Sequence, residues 1–242
     1  MKKILKILIG VIVFLTLPAL LFFGVLYLKY NEDLPIGQEG EKADLLAHNM
    51  LKSLDYESYK ETDYIEWSFR NSRLYKWNKR ENICVVQWKD FKVDLHLNYI
   101  ERSLAAVHNF NVVGEKRDEL VDKARSYFNN DSFWLVAPYK VFDKGVKRSI
   151  VNLDNDDEGL LVTYTIGGST PGDSYLWTFD SKGKPKSFKM WTALLPIDGI
   201  EATWSDWIKT KSGAQLPTFH KLLFLGLELR NIKGEKALNS EN

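Results

Sequence analysis

Alternating apolar and polar positions predict that most of this chain forms antiparallel β-strands. Ile65, Trp67 and Phe69 share one face of an extended segment against polar neighbours, which is the period-two pattern of a strand with one face in water. Residues 75–77, 86–88 and 91–97 repeat the pattern, and short polar turns separate them. We therefore expect an antiparallel meander that buries a face rich in tryptophan.

Residues 160–195 carry the clearest alternation in the chain. Period two runs through 160–166, resumes at 175–179 and returns at 188–192, while the glycines and the proline of 167–172 predict a turn between the first two strands. Residues 147–153, 199–207, 215–223 and 224–232 add further strands, as does the short apolar run SFWLVA at 132–137. The chain as a whole then contains about eleven strands.

Two segments follow a helical period instead. Residues 41–54 place Ala43, Ala47 and Met50 on one face, and residues 117–128 do the same with Leu120 and Ala124. The polar residues 129–131 predict the end of the second helix. The two apolar helix faces must pack on the sheet, so we expect an α+β fold that is mostly antiparallel: a strongly curved half-barrel sheet with two covering helices.

The N-terminus predicts a membrane anchor. Residues 7–28 contain no charge, and a 22-residue helix is about 33 Å long, enough to cross a hydrocarbon core of about 30 Å. A cleaved signal peptide is the alternative. Lysines at 2, 3 and 6 favour a cytoplasmic N-terminus, which predicts a single-pass protein of a bacterial inner membrane with its domain in the periplasm or outside the cell.

The expected organisation follows from this anchor. Residues 1–6 form a cytoplasmic tip, 7–28 the transmembrane helix, 29–40 a short polar linker, 41–234 one extracytoplasmic β-rich domain and 235–242 a flexible tail. A division into two domains near residue 113 is the alternative. We prefer one domain, because neither half offers enough strands to close a core by itself.

Charge and cysteine content exclude several function classes. Of the 33 Lys and Arg residues, four flank the apolar segment, which leaves 29 basic against 32 acidic residues in the exported part. Such a domain has no bulk attraction to nucleic acid. Cys84 is the only cysteine, so the chain forms no intrachain disulfide.

The sequence contains no motif for catalysis, a metal or a cofactor. The four histidines lack metal-ligand spacing, no G-x-S-x-G elbow occurs, and we predict neither catalytic residues nor a bound cofactor. A triad of Asp173, Ser174 and His220 is the remaining catalytic alternative. Acidic residues at 154–159 resemble part of a calcium loop, but the twelfth position is Thr165, so we interpret this segment as a hairpin turn.

Eight tryptophans are more than packing usually requires, and a buried indole N–H needs a hydrogen-bond partner. A cleft lined by aromatic strand faces would explain the excess. The loop 167–177 is either a structural turn or the rim of this cleft. Trp204 and Trp207 could instead lie at a membrane interface. The predicted ligand-binding residues are Trp134, Asp173, Tyr175, Trp177, Trp191 and His220.

Two resemblances bear on function. NDSFWLVAPYKVFD (130–143), GGSTPGDSYLW (167–177) and IEATWSDW (200–207) resemble a group of membrane-attached bacterial envelope proteins that have no assigned activity. The order of anchor, helix, meander, helix and further sheet is similar to the layout of the Lol-type periplasmic lipoprotein carriers. That similarity implies an open half-barrel over an apolar cavity that holds acyl chains.

The leading hypothesis is a noncatalytic binding module for an apolar or acyl-bearing ligand, held at the inner membrane through residues 7–28. Its expected partners are that membrane and a lipid or acyl ligand. The first alternative is an envelope scaffold that docks another envelope protein. The second is a hydrolase acting on an envelope lipid or ester, which requires Asp173 and His220 to lie within hydrogen-bond reach.

Overall fold

A computed structural model describes residues 2–154, 157–167 and 170–237. The helices are α1 (Lys2–Tyr30), α2 (Glu41–Ser53), α3 (Tyr56–Lys60) and α4 (Gly114–Val136), and 3-10 turns occupy Ile100–Arg102 and Ala137–Lys140. The strands are β1 (Gln38–Glu39), β2 (Tyr64–Phe69), β3 (Arg73–Asn78), β4 (Ile83–Trp88), β5 (Phe91–His96), β6 (Leu104–Val107), β7 (Phe110–Val112), β8 (Val146–Asn152), β9 (Glu158–Tyr164), β10 (Ser174–Phe179), β11 (Pro185–Trp191), β12 (Ile200–Thr203), β13 (Ile208–Lys209), β14 (Gln215–Leu216), β15 (Phe219–Leu222) and β16 (Leu225–Glu235).

One open antiparallel sheet contains 14 of these strands, in the order β1-β8-β9-β10-β11-β12-β15-β16-β2-β3-β4-β5-β6-β7. β13 and β14 form a separate two-stranded ladder. This arrangement confirms the predicted fold class of a mostly antiparallel sheet with covering helices. The strand count exceeds the predicted eleven because strands of two to four residues, such as β1, β7 and β13, are too short to show alternation.

The long strand β16 joins the two halves of the sheet. Its first part pairs with β15 and its second part with β2, and the register shifts between Arg230 and Lys233. Asn231 lies in this shift with a φ of 54°, a left-handed conformation that asparagine tolerates. The bulge lets one strand serve both halves, which we call the meander half (β2–β7) and the cavity half (β8–β12).

Helices α2 and α4 fill the side of the sheet that holds the core. α2 buries Ala43, Ala47 and Met50, as its helical period predicts. α4 buries Leu120 and Ala124 against the meander half, where it contacts β5 and β6. The core of the protein is therefore a layer of aliphatic and aromatic side chains between the two helices and the sheet.

Two predictions about residues 129–137 are wrong. Residues 129–131 do not end the second helix, and 132–137 is not a strand, because α4 continues to Val136 and a 3-10 turn follows it. Asp131, Ser132 and Leu135 are all buried, so this end of α4 has no solvent face to reveal a helical period. A short apolar run of this kind cannot be assigned from periodicity alone.

The predicted linker 29–40 runs against the outer face of the sheet, the face opposite α2 and α4. The backbone N–H of Glu32 donates to the Asp198 carbonyl, and the Trp191 indole N–H donates to the Glu32 carbonyl over 2.8 Å. Gly199 has a φ of 77°, and a side chain there would collide with Glu32. The segment ends in β1, which pairs with β8. We call residues 31–39 the strap.

Three smaller predictions concern termini and turns. Residues 153–157 connect the hairpin of β8 and β9, with Leu153 N–H bonded to the Asp157 carbonyl, although residues 155 and 156 lie outside the described residues. The predicted tail begins inside β16, which extends to Glu235, and residues 238–242 are likewise outside the described part. Cys84 is a buried free thiol, and burial raises its pKa, so it is chemically inert.

Candidate functional site

A cavity of about 470 Å³ lies between the C-terminal part of α4 and the cavity half of the sheet. That volume falls within the range of about 300–1,000 Å³ that is usual for small-molecule sites. Its walls are mainly aromatic and aliphatic: Phe133 and Trp134 come from α4, Tyr164 and Tyr175 from β9 and β10, Met190 from β11 and Leu222 from β15.

Strand alternation explains why these side chains face the cavity. In β10, Tyr175 points to the inner side of the sheet and its neighbour Ser174 points to the outer side. Tyr175 is directly opposite Met190 in the β10–β11 register, so the two share the cavity wall. From the other side, the Phe133 ring of α4 packs 4.4 Å from the Tyr175 ring. Helix and sheet therefore supply the two walls.

Asp173 contributes a buried acidic group to the lining of this cavity. Its carboxylate accepts hydrogen bonds from the hydroxyls of Thr170, of Thr192 at 2.6 Å and of Tyr175 at 3.3 Å, and from the backbone N–H of Ala193 at 3.2 Å. Four donors replace water around the buried charge. The carboxylate thereby connects the loop after β9 to the loop after β11 at the cavity rim.

The Tyr164 hydroxyl is a polar group within an apolar wall. Its oxygen is buried and has no hydrogen-bond partner within residues 2–154, 157–167 and 170–237. Burial raises the pKa of this phenol well above its ordinary value of 10.0, so it remains a neutral O–H donor. An unpartnered buried donor is costly, and a carbonyl, ester or phosphate oxygen of a ligand would satisfy it.

The rim of the cavity is mixed in character. Lys140, Asp143 and Lys144 lie along one side, and the Lys140 ammonium contacts the Asp143 carboxylate at 3.3 Å. Ile166 and Leu194 lie along the rim as well, and both are at least half exposed. The mouth thus offers apolar surface next to two ammonium groups and one carboxylate.

Three of the six predicted ligand-binding residues line the cavity: Trp134, Asp173 and Tyr175. Trp177, Trp191 and His220 do not. Trp177 is fully buried deeper in the core, where its ring meets Trp204 edge-on at 6.0 Å. Trp191 lies on the outer face of the sheet, because it alternates with the inward-facing Met190, and it bonds to the strap through Glu32.

His220 is buried behind the cavity wall. Its ring lies 5.2 Å from that of Trp134 and 4.9 Å from that of Trp204, and Nδ1 is 2.7 Å from the Thr203 carbonyl. Burial lowers the pKa of His220 to about 4, although the carbonyls of Thr203 and Trp134 oppose the shift. The imidazole is therefore neutral near pH 7, and Trp134 separates it from the cavity.

The catalytic alternative finds no support in these contacts. Ser174 faces the outer side of the sheet and bonds to the Thr163 hydroxyl at 2.8 Å, whereas His220 lies on the inner side. Asp173 binds hydroxyls and an amide, and it shares no hydrogen bond with His220 in the described part of the chain. Across those same residues, no group of three or more His, Cys, Asp and Glu side chains could hold a metal.

Sequence reasoning missed Phe133, Tyr164 and Leu222 as lining residues. Tyr164 was detectable, since it continues the inward-facing series of Leu160 and Val162. Phe133 was hidden by the wrong assignment of its segment to a strand. The Gly168 and Ser169 part of the predicted rim loop lies outside the described residues, while Gly167 and Thr170 on either side of it line the cavity.

The tryptophans also depart from expectation. Within the residues that the structure describes, the indole N–H groups of Trp67, Trp77, Trp177, Trp204 and Trp207 are buried without a hydrogen-bond partner. Trp204 is a core residue, and Trp207 lies under Lys184 in the turn between β10 and β11, at the opposite end of these strands from α1. The burial of Trp204 contradicts its interpretation as a membrane-interface residue, whereas the same interpretation of Trp207 stays a prediction.

No protein-family model matches this chain, and no curated protein matches it. Among solved structures, it is similar to a DUF1329 family protein from Desulfovibrio piger, with 9% sequence identity and a TM-score of 0.43 over 82% of this chain and 95% of that chain.

Proposed function

We propose that this protein is a membrane-anchored, noncatalytic module that binds an apolar or acyl-bearing ligand in the cavity between α4 and strands β8–β11. The observation that carries the proposal is the cavity itself, whose walls are aromatic and aliphatic. Each methylene group transferred from water to such a wall contributes about 0.8 kcal/mol. An acyl chain therefore gains affinity without any catalytic group.

The polar groups of the cavity suit one end of such a ligand. The Tyr164 hydroxyl is buried in the cavity wall without a partner and can donate to an ester oxygen that reaches it, and the rim beside it carries Asp143 together with Lys140 and Lys144. Asp173 is already saturated by four donors, so it shapes the rim and leaves recognition of the ligand to Tyr164.

The proposed setting rests on α1. This helix is long and apolar enough to span a membrane, and its central part is exposed to the surroundings. Lys2, Lys3 and Lys6 before the span support a cytoplasmic N-terminus. The β-rich domain would then lie on the periplasmic or outer side of a bacterial inner membrane, as the Lol-type layout also implies.

A scaffold role is the second candidate, and a different surface supports it. At the edge of the meander half, Phe110 in β7 and the following Val113 are largely exposed, as is Leu104 in β6. An apolar edge strand of this kind can pair with a strand of another envelope protein. This edge is far along the sheet from the cavity, so the two roles are separable by mutation.

The test is native mass spectrometry of the full-length protein after it is freed from detergent micelles. The readout is the mass of any lipid that stays bound to the protein. We expect a bound lipid mass on the wild-type chain. Val146→Trp places a large ring in the cavity wall at β8 and should remove most of that mass.

Val85→Trp is the matched control, because Val85 is a half-buried residue of β4 in the meander half. It should retain the lipid. Equal lipid retention by both tryptophan variants, or no bound lipid on the wild type, would contradict the binding function. The scaffold role would be supported if another protein copurified in stoichiometric amount with the wild type and was lost from the Phe110→Asp variant.

A further inference from the structure

One end of the domain faces the direction in which α1 leaves it. Leu26 and Tyr30 pack against the domain core, whereas the helix before residue 25 is exposed throughout the described residues. The Asn31 side chain accepts from the Asp198 backbone N–H, and Glu32 pairs with Lys189 at 2.5 Å. These contacts fix the end of α1 to the loops that follow β11.

The hairpin between β15 and β16 reaches back along α1. Its tip carries Phe224 and Leu225, which are 68% and 55% exposed, and the Phe224 ring lies 6.4 Å from that of Phe22. Phe22 precedes the end of the apolar span at Leu28 by six residues, which is about 9 Å at 1.5 Å per residue. The hairpin tip is therefore level with the last two turns of the apolar span.

Strand register places the cavity mouth at this same end. Ser174 is opposite Trp191 in one pairing and Thr163 in the other, so the loops that begin after Tyr164 and Trp191 are neighbours. These loops carry Ile166 and Leu194, the exposed apolar residues of the rim. Leu222 connects the mouth to the hairpin tip, since it lines the cavity two residues before Phe224.

We infer that this end of the domain is a membrane-docking face: the hairpin tip of Phe224 and Leu225 inserts into the lipid leaflet beside α1, and the cavity mouth between Ile166 and Leu194 opens against the bilayer. An apolar tip held at that height lies within the depth of about 5–10 Å that interfacial segments reach. Lys221 and Lys29 are exposed nearby, where they can meet lipid phosphates.

This inference deepens the proposed function, because it makes the bilayer the source of the ligand. The cavity would receive an acyl chain directly from the leaflet, with the chain remaining in apolar surroundings. The docking of the hairpin tip itself depends only on α1 spanning the bilayer, and it can be measured whether or not a lipid occupies the cavity.

The test uses the full-length protein in vesicles of phosphatidylethanolamine and phosphatidylglycerol. A polarity-sensitive fluorophore is attached at Phe224→Cys, Leu225→Cys or Leu194→Cys, while the buried, inert Cys84 stays unlabelled. Lys182→Cys is the control, since Lys182 is exposed in the turn between β10 and β11, at the opposite end of these strands from the loop that follows Trp191. Lipids with a nitroxide on the acyl chain serve as quenchers.

We expect several-fold stronger quenching and blue-shifted emission at 224, 225 and 194 than at 182. Quenching at all four sites equal to that of a soluble fluorophore would overturn the inference. Efficient crosslinking of two copies through the thiol of the Phe224→Cys variant, with no quenching of the fluorophore at that position, would also overturn the inference. A second copy of the protein would then cover the hairpin tip. Two independent tip positions guard against misfolding of one variant.

The outcome is separable from that of the proposed function. Quenching at the tip without a lipid mass on the protein would retain the docking face and reject the carrier role. A lipid mass without quenching at 224, 225 and 194 would retain the binding function and reject the docking face.

Discussion

Helix α4 packs differently on the two halves of the sheet. Against the meander half, α4 makes direct aromatic contacts: Phe128 meets Trp77 edge-on at 5.3 Å and lies 6.3 Å from the Trp67 ring. Against the cavity half, Phe133 and Trp134 meet a wall that leaves about 470 Å³ open. The meander half therefore holds α4 in place, and the cavity half leaves room for a ligand beside it.

Two buried aspartates show the same difference. Asp131 in α4 is bound by the Arg73 guanidinium at 2.5 and 3.1 Å, by the Tyr75 hydroxyl at 2.5 Å and by the Asn130 amide at 2.8 Å. Asp173 has only neutral donors around it. The meander half uses a paired charge to fix helix to sheet, whereas the cavity half uses hydroxyls to join two loops at a rim.

Asp131→Ala should have the largest effect on stability. It leaves the Arg73 charge and the Tyr75 hydroxyl without their acceptor beneath α4, and removing one partner of a buried ion pair costs about 3–5 kcal/mol. Urea unfolding of the detergent-solubilised protein, followed by tryptophan fluorescence, measures this loss. Asp118→Ala, on the exposed side of the same helix, is the control and should change the free energy of unfolding by less than about 0.5 kcal/mol.

A decrease of less than about 1 kcal/mol in the unfolding free energy of Asp131→Ala would contradict this comparison. The meander half would then not depend on the contacts of Asp131 with Arg73 and Tyr75, which we call the Asp131 clamp. A large decrease in unfolding free energy, with unchanged lipid retention at a temperature where the variant is still folded, would support the comparison. The clamp would then support the helix without contributing to the cavity.

His220 should make the cavity half sensitive to acid. Its pKa is lowered from 6.5 to about 4 in the folded protein, so between these values the unfolded chain binds a proton that the folded chain does not. Stability therefore falls as the pH drops from 6.5 to 4, by up to about 3 kcal/mol. Above pH 6.5 the group contributes no pH dependence.

His220→Asn keeps a donor for the Thr203 carbonyl and cannot titrate, so it serves as the reference. We expect the difference in unfolding free energy between wild type and variant to change over pH 4–6.5 and to be constant above it. A constant difference over the whole range would show that His220 is accessible to water and that the wall behind Trp134 is open.

Asp173→Ala should have the smallest effect on stability and a clear effect on the ligand. It leaves the Thr192 and Tyr175 hydroxyls unpaired, which costs about 1–3 kcal/mol. It also frees the loops after β9 and β11 at the rim, so we expect weaker lipid retention in native mass spectrometry. Unchanged retention would show that the rim is held by its other contacts.

Alternation made the sheet predictable, because nearly every long strand has one buried face. It also identified Tyr175 and Trp134 as candidate ligand-binding residues. It did not show which of the aromatic residues line the cavity and which pack in the core. Trp177 and Tyr175 share the inner face of β10, yet Trp204 fills the space beside Trp177. Whether a face is filled depends on residues distant in sequence, which periodicity does not report.

The Asp131 clamp was hidden for a similar reason. In sequence, 129–131 has the polar composition of a helix end, and its true role appears only when Arg73, 58 residues earlier, is beside it. Asp173 was suggested by its place in a glycine-rich turn, although its four donors come from positions up to 20 residues away. Local chemistry identified the residue, and tertiary contacts define what it does.

The strap limits how far the domain can travel. Nine free residues would let it move about 30 Å from the end of α1, but the hydrogen bond at Glu32 and the pairing of β1 with β8 hold both ends of the strap against the sheet. These contacts join the domain rigidly to the end of α1. Under the proposed function we expect the domain to stay beside its anchor, so that any ligand it releases must be collected by a partner that comes to the membrane surface.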